Sequence, residues 1–516
     1  MSQNIANSVL LQKPNRGTHN LTSETKTTGK IGQLYPILVQ EVVPGDNVKI
    51  TADFLTKLQP LATPAMQNMN ACVHYFYVPF RILWPNWKYF IAQTNNPFTN
   101  APALHPTIDL DATQVTNNWL APYLGINAAV DGINPFPFLA YQLIWNEYYR
   151  HQKVSDDLTP ELVLTDGANN FNNTWNVQRR RTFKDDYFTA ALESPQDGNQ
   201  ALMDFKDLSP IPVKRNANTP GGQNPQSDFQ AEELGTSLGR EVRIINALQG
   251  GGSGPILPNA LWVDPNDGQF TIAYNDLIEL SRMQEFLVRN NLAGNRYNEF
   301  ILAHFGIRVP DLRVDRPEYI TGVKAPIIIS ELLNTATEQG TQTGQGNGYG
   351  EGSTKNYYVQ EHGIIMGLYS CISERSYVNA VQKLMFKKNP MDYFLPVFDQ
   401  MGEQEIFNEE LTLTHANPKG TFGYVPRYAE YRLPFNLVTG EFATTLTDWH
   451  LGLIPPNNVA LNEAFFDMIN QGRIFAINQN DVDTLLIQVI NHVYIDRPLP
   501  VMSMPIITNN NPNRLS

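Results

Sequence analysis

The chain is poor in the residues on which secreted domains and most enzymes depend. Its 516 residues include two cysteines, Cys72 and Cys371, far apart in sequence. One bridge is the most they could form, so a disulfide framework is excluded, and no Cys-x-x-Cys pair exists for zinc. Two free, buried thiols in a reducing compartment are expected. Charged residues make up 17% of the chain, against ~25% in typical soluble proteins. No stretch approaches the ~18 apolar residues of a membrane helix. The N-terminal MSQNIANSVLLQKPNRG lacks an apolar core of signal-peptide length, so a soluble, not classically secreted protein is expected. No fixed-period repeat is visible, which argues against a solenoid or propeller.

Catalytic motifs are missing as well. The nine histidines form no HExxH and no i, i+4 pair. His74, His304 and His492 sit in apolar company and read as structural. The glycine-rich run 340–352 is followed by no Gly-Lys-Ser/Thr, so it is not a phosphate loop. Asp156-Asp157 and Asp185-Asp186 lack EF-hand spacing and read as solvated loop acids. The expectation is no enzyme, no cofactor, no catalytic residue and no metal site.

What is present points to burial against other molecules. Hydrophobic residues reach 42% and aromatics 11%, and interface cores are charge-poor and aromatic-rich. The net charge of −13 argues against a free-standing nucleic-acid binder, leaving only local basic patches for such contacts. Residues 1–33 carry Lys13, Arg16, Lys26 and Lys30 against one acid, Glu24, and read as a mobile basic arm. Arg179, Arg180 and Arg181, with Phe183 and Lys184, suit phosphate contact plus base stacking or an intersubunit salt-bridge patch. Lys387-Lys388 is a weaker patch of the same kind.

Strand patterns cluster toward both ends. Leu34–Val43 and Val48–Leu55 flank a Pro-Gly-Asp turn. Ala71–Val78 is dense in β-branched and aromatic residues and stops at Pro79; alternation puts Cys72, His74, Phe76 and Val78 on one face. Val359–Ile372 is apolar and β-prone. Leu485–Ile495 alternates, with Leu485, Ile487, Val489, Val493 and Ile495 on one face, interrupted by Asn491. Helices are predicted over Trp84–Gln93, Phe138–Lys153, Tyr274–Leu292 (capped by Asp276 with Glu279) and Asn295–Phe305. Residues 194–260 and 334–356, rich in glycine and amides, are predicted as exposed loops. Taken alone, the pattern is mainly β with helical insertions.

Three segments carry a resemblance: His304–Gly322 (HFGIRVPDLRVDRPEYITG), Glu361–Ser370 (EHGIIMGLYS) and Phe422–Arg432 (FGYVPRYAEYR). Phe76–Trp87 (FYVPFRILWPNW), Gly402–Glu410 (GEQEIFNEE) and Trp449–Leu451 (WHL) fit the same pattern. Together, from about residue 70 to 451, they resemble the major capsid protein of microviruses, the gokushovirus branch above all. In the first segment Arg308, Arg313 and Arg316 alternate with Asp311, Asp315 and Glu318. That pattern suits a rigid, self-paired docking loop, and these six are the subunit-contact candidates.

The resemblance implies an eight-stranded antiparallel jelly-roll barrel with long loop and helical insertions, spanning 34–516 as one domain behind the arm. It implies a T=1 shell of 60 copies around circular single-stranded DNA. Implied partners are further copies of the chain, the genome, a small basic DNA-packaging protein, other virion proteins and a host surface receptor, with no membrane. The implied location is the virion capsid, assembled in the bacterial cytoplasm, with 194–260 as the counterpart of a threefold protrusion. The rival reading is a carbohydrate-binding or hydrolytic jelly roll, which would sediment as a small oligomer.

Overall fold

A computed structural model describes residues 15–116, 119–196, 274–294, 296–333, 342–399, 402–469, 471–477 and 482–500, with the short strands noted below. The chain divides into two compact units, 1–195 with 290–516, and 196–289.

The first unit is built on one ten-stranded antiparallel sheet. Its strands are β1 (Gly17–Asn20), β2 (Ser23–Gly29), β3 (Leu34–Val42), β4 (Asn47–Leu58), β5 (Met69–Pro79), β6 (Glu318–Leu333), β7 (Gln342–Glu351), β8 (Lys355–Tyr358), β9 (Gly363–Ser373) and β10 (Leu485–Arg497). The order is β1-β10-β4-β7-β6-β5-β9-β3, with β2 also on β10 and β8 also on β4. The sheet curls into a half-barrel. Its far edges meet at the Ile37 carbonyl, which accepts from Thr25 Oγ1 at 2.8 Å and Asn491 Nδ2 at 3.0 Å. The expected antiparallel jelly-roll class, with helical insertions, is therefore met.

Alternation makes the curl possible. Along β4, Val48, Ile50, Ala52, Phe54, Thr56 and Leu58 point inward, and Lys49 and Lys57 point out. β10 repeats this with Leu485, Ile487, Val489, Val493 and Ile495. Strand β5 is buried on both faces. Its Val73, Tyr75 and Tyr77 enter the inner core, while Phe76 and Val78 meet a second core under the helix α1 (Phe136–Tyr148). A third apolar cluster gathers Tyr187, Phe188, Tyr377, Ile406 and Val425.

Several sequence expectations are corrected here. Residues 342–351 are not a loop but strand β7, paired with β6 and β4. Gly344, Gly346, Gly348 and Gly350 are its buried positions. A Cβ on Gly346 would lie 2.3 Å from Leu58 Cδ1, and one on Gly350 2.4 Å from Phe54 Cζ. The glycines thus make room for large side chains of neighbouring strands. Lys355 opens another strand, β8; residues 334–341 lie outside the described residues. The arm is corrected too. From Gly17 to Gly29 it forms β1 and β2 along β10, because its alternating threonines suit an edge strand. The helix over 84–93 is two short turns, Phe80–Leu83 and Trp87–Ile91, separated at Trp84-Pro85. The helix expected to run to Lys153 ends at Tyr148.

The helix α2 (Tyr274–Ala293) begins before Asp276, which therefore stands inside it. The helix α3 (Tyr297–Phe305) stops at Gly306 with φ 70°, as expected. In the second unit, Val213–Arg215 pairs with Leu261–Val263 and Ala231–Thr236 with Gly239–Ile244. Most of 194–260 lies outside the described residues. Among the described residues no helix is long and apolar enough to cross a membrane.

Candidate genome and subunit contact surfaces

Arg16, Lys26 and Lys30 stand on or beside the edge strands of the sheet. Arg16 Nη2 lies 3.0 Å from the Asp496 carboxylate and donates to the Gly45 carbonyl at 2.9 Å. Lys26 stands on β2, 3.2 Å from Glu24. Lys30 occupies the turn into β3, where its backbone N–H donates to Tyr35 Oη at 2.6 Å. Lys13 lies outside the described residues. The two ion pairs are half-exposed and worth at most ~1 kcal/mol each, so Arg16 and Lys26 are anchored lightly.

The arginine run behaves differently. Residue 180 bridges to Gln33, continuing the edge of the sheet. Arg179 stacks 4.7 Å from the Trp145 ring centre and its Nε donates to Gln142 at 2.6 Å. Burial lowers its proton affinity. Arg180 donates to the Met468 carbonyl at 3.2 Å. Both are therefore consumed by packing against α1 and the 468 region. Phe183 presents its ring to Arg375, 4.5 Å away, so that face is already occupied.

Arg181 is the exception. It stacks 5.3 Å from Tyr149 and donates to Ser370 Oγ at 3.1 Å. Like Arg179 and Arg180, it has no carboxylate partner among the described residues. It lines a cavity of about 370 Å³ with Lys184, Lys324, Tyr148, Tyr149 and Asn70, and with the acids Asp185 and Glu374. Lys184 and Lys324 are exposed at its edge. Cys72 and His74 line the same space but form no catalytic pair. Burial pushes the Cys72 thiol up. Burial, then the Arg181 charge, pulls His74 down to about 4, and its Nδ1 is paired with Tyr149 Oη at 2.7 Å. What remains is a cationic, aromatic-lined recess suited to an anionic group. Lys324 could not be associated with Arg181 from sequence, since only the pairing of β5 with β6 brings them together.

The loop after α3 is rigid, as its charge pattern suggests, but its pairs run mostly to other elements. Arg316 stacks 4.1 Å from Tyr148 and reaches Glu147 at 3.3 Å and Asp311 at 3.3 Å. Asp315, at φ 53°, reaches Arg81 at 2.5 Å, and Arg81 also binds Glu361. Glu318 accepts from Tyr357 Oη. Arg308 and Arg313 are exposed, with no ion pair among the described residues. Of the six candidates, Arg316 and Asp311 fix the loop, Asp315 and Glu318 tie it to the sheet, and Arg308 and Arg313 project from it.

Asp157, Asp186, His304 and His492 have structural partners. The Asp186 carboxylate accepts from the backbone N–H groups of Phe188 and Thr189 and from Tyr377 Oη. Asp157 accepts from Asn146 and Thr159. His492 meets Asp53 at 2.9 Å and His304 meets Asn290 at 2.7 Å. The side-chain arrangement is that of a packed wall with surface recesses.

Known proteins agree with this picture. Residues 8–507 match the phage family described as capsid protein (F protein). Capsid protein VP1 of Bdellovibrio phage phiMH2K is 28% identical over 478 residues, covering 88% of each chain. Capsid protein VP1 of Chlamydia phage 1 is 27% identical over 93% of this chain and 94% of its own. That of Spiroplasma virus 4 is 24% identical over 95% of both. The match spans the curled sheet and its insertions alike, and the chain belongs to the phage capsid protein (F protein) family, as a structural capsid subunit of the microvirus kind and not an enzyme.

Proposed function

We propose that this subunit assembles as a T=1 shell of 60 copies around circular single-stranded DNA, and that the recess at Arg181 takes genome phosphate. The observation that carries the DNA reading is the Arg181–Lys184–Lys324 cluster beside Tyr148 and Tyr149. Clustered cations attract backbone phosphate without sequence preference, and the Tyr148 and Tyr149 rings, already stacked by Arg316 and Arg181, shape the recess. The lightly anchored Arg16 and Lys26, together with Lys13 and Lys30, are secondary contacts, and Arg179 and Arg180 serve by shaping the wall. A chain of net charge −13 needs additional positive charge to enclose a genome, which favours a small basic packaging protein as a partner. Other virion proteins and a host receptor complete the set, with assembly in the bacterial cytoplasm. Arg308 and Arg313 are the subunit contacts of the 304–322 loop, and 194–260 contributes the outer protrusion.

Cryo-electron microscopy of particles purified with their nucleic acid tests this. The expected result is 60 copies per shell, nuclease-sensitive circular single-stranded DNA on disruption, and density for nucleotides in the Arg181 recess. A different copy number would sink the T=1 reading. Ordered DNA elsewhere with an empty recess would sink the recess assignment.

A further inference from the structure

Between Lys383 and Phe398 the chain passes through three single-turn 3₁₀ helices, Lys383–Phe386, Pro390–Asp392 and Pro396–Phe398. Apolar side chains fill this strap, yet they face outward. Leu384, Met385, Tyr393, Phe394, Leu395 and Val397 are between 43% and 84% exposed. Tyr431, 58% exposed, joins them through its ring contact with Phe394. These seven large side chains, 43–84% exposed, present roughly 700 Å² of surface at ~150–200 Å² for a whole side chain of this size. That exceeds the ~300–600 Å² of the largest patch on a typical monomer and approaches the ~800 Å² that each partner contributes to a standard interface.

The strap is also held in place before anything docks. The Asp392 carboxylate accepts from the backbone N–H groups of Lys388 at 2.8 Å and Asn389 at 2.7 Å. The Met391 carbonyl accepts from Arg427 at 3.0 Å and Tyr428 at 3.2 Å. Phe394 packs edge-on to Tyr428, and Lys387 pairs with Glu430 at 2.6 Å. Little conformational freedom remains to be lost on docking. An apolar surface with few free cations does not suit DNA, whose binding depends on neutralised phosphates.

We infer that the 384–397 strap is a contact surface between subunits and that its occupant is a second copy of this chain. The inference rests on the capsid reading, because the family places the chain in an oligomeric virion. The area matches one side of a stable interface, and the chemistry matches an apolar protein face. A shell also needs contacts between different patches, and the chain exposes another apolar set at Leu302, Phe305 and Ile307, 42–68% exposed.

Val397→Asp and Met385→Asp place a charge on side chains already 84% and 72% exposed, so the subunit should fold as before. The control is Phe98→Asp, at a residue 91% exposed outside the strap. By sedimentation, the assembled fraction should fall at least tenfold in both strap variants and stay near wild type in the control, with circular dichroism unchanged in all three. A photo-crosslinker at Val397 in assembled particles should capture this same chain, identified by mass spectrometry. Strap variants that assemble like wild type, or a control that fails equally, would overturn the inference. So would crosslinking only to another virion protein. A wild-type chain that never forms particles would instead refute the shell reading beneath it.

Discussion

Asn491 shows at the scale of one residue how a polar side chain holds a barrel wall together. It interrupts an otherwise apolar face of β10 and is fully buried. Its Nδ2 donates to the Ile37 carbonyl at 3.0 Å and its Oδ1 accepts from Tyr75 Oη at 2.5 Å. It therefore joins β10 to β3 and to β5 across the interior. Asn491→Ala should leave the buried Tyr75 hydroxyl unpaired and the Ile37 carbonyl with Thr25 Oγ1 alone, at a cost of about 1–3 kcal/mol in all. Urea denaturation of the unassembled subunit checks this. A loss under 1 kcal/mol would mean that water or a neighbour replaces the amide. In sequence the residue was visible only as a fault in the alternation. Its partners are more than 400 positions away, and no local pattern names them.

At the scale of elements, β7 is the clearest divergence between sequence and structure. TQTGQGNGYGE has the composition of a loop, and composition led to a loop assignment. Its spacing tells more: glycine recurs at every second position from Gly344 to Gly350, the period of a strand. The inward face is bare so that Leu58, Phe54 and Ile327 can lie across it. Gly350→Val should therefore collide with Phe54 and Ala325 and destabilise the subunit by about 1–3 kcal/mol. Gln345→Val, on the outward face of the same strand, should be nearly neutral. Equal losses for the two, measured by thermal denaturation, would contradict the inward orientation of the glycines. Strands β4, β5, β9 and β10 were legible beforehand because alternating or continuous apolar runs announce their buried faces. β1 and β2 were not, since a threonine-rich, lysine-bearing edge strand has nearly the composition of a disordered arm.

At the scale of the whole molecule, acid response sums groups that pull in opposite directions. Burial draws His74 and His151 down to about 4. Their contribution is complete above the unfolded histidine range and is lost as pH falls from ~6.5 toward 4. Burial raises Glu403 to about 7 and Asp467 to about 6. Their contribution is present below the unfolded carboxylate range and is lost as pH rises through those values. Neither Glu403 oxygen has a hydrogen-bond partner among the described residues, which makes its ionisation the clearest to test. Glu403→Gln should gain stability relative to wild type as pH rises from ~5 to ~7.5, by about 1 kcal/mol after allowance for solvent screening. Melting temperatures of both proteins across that range decide it; a constant difference would show that Glu403 titrates normally.

Sequence by itself determined the class of the protein. Scarce charge, abundant aromatics, missing catalytic motifs and family-like segments spread from residue 70 to 451 all point to a structural wall. Alternation also located the strands whose buried faces are lined by large side chains, because burial leaves its mark on local composition. Only the tertiary structure decided which charges are available. Arg179, Arg180 and Arg181 are consecutive and alike in sequence, yet two are consumed by Gln142 and the Met468 carbonyl, while the third lines a recess with Lys324. It likewise decided that the chain from Gly17 to Gly29 is sheet edge and that a glycine-rich run is barrel wall. The physical reason is the same in each case: pairing partners and counter-charges come from distant strands, and their proximity exists only once the sheet has curled.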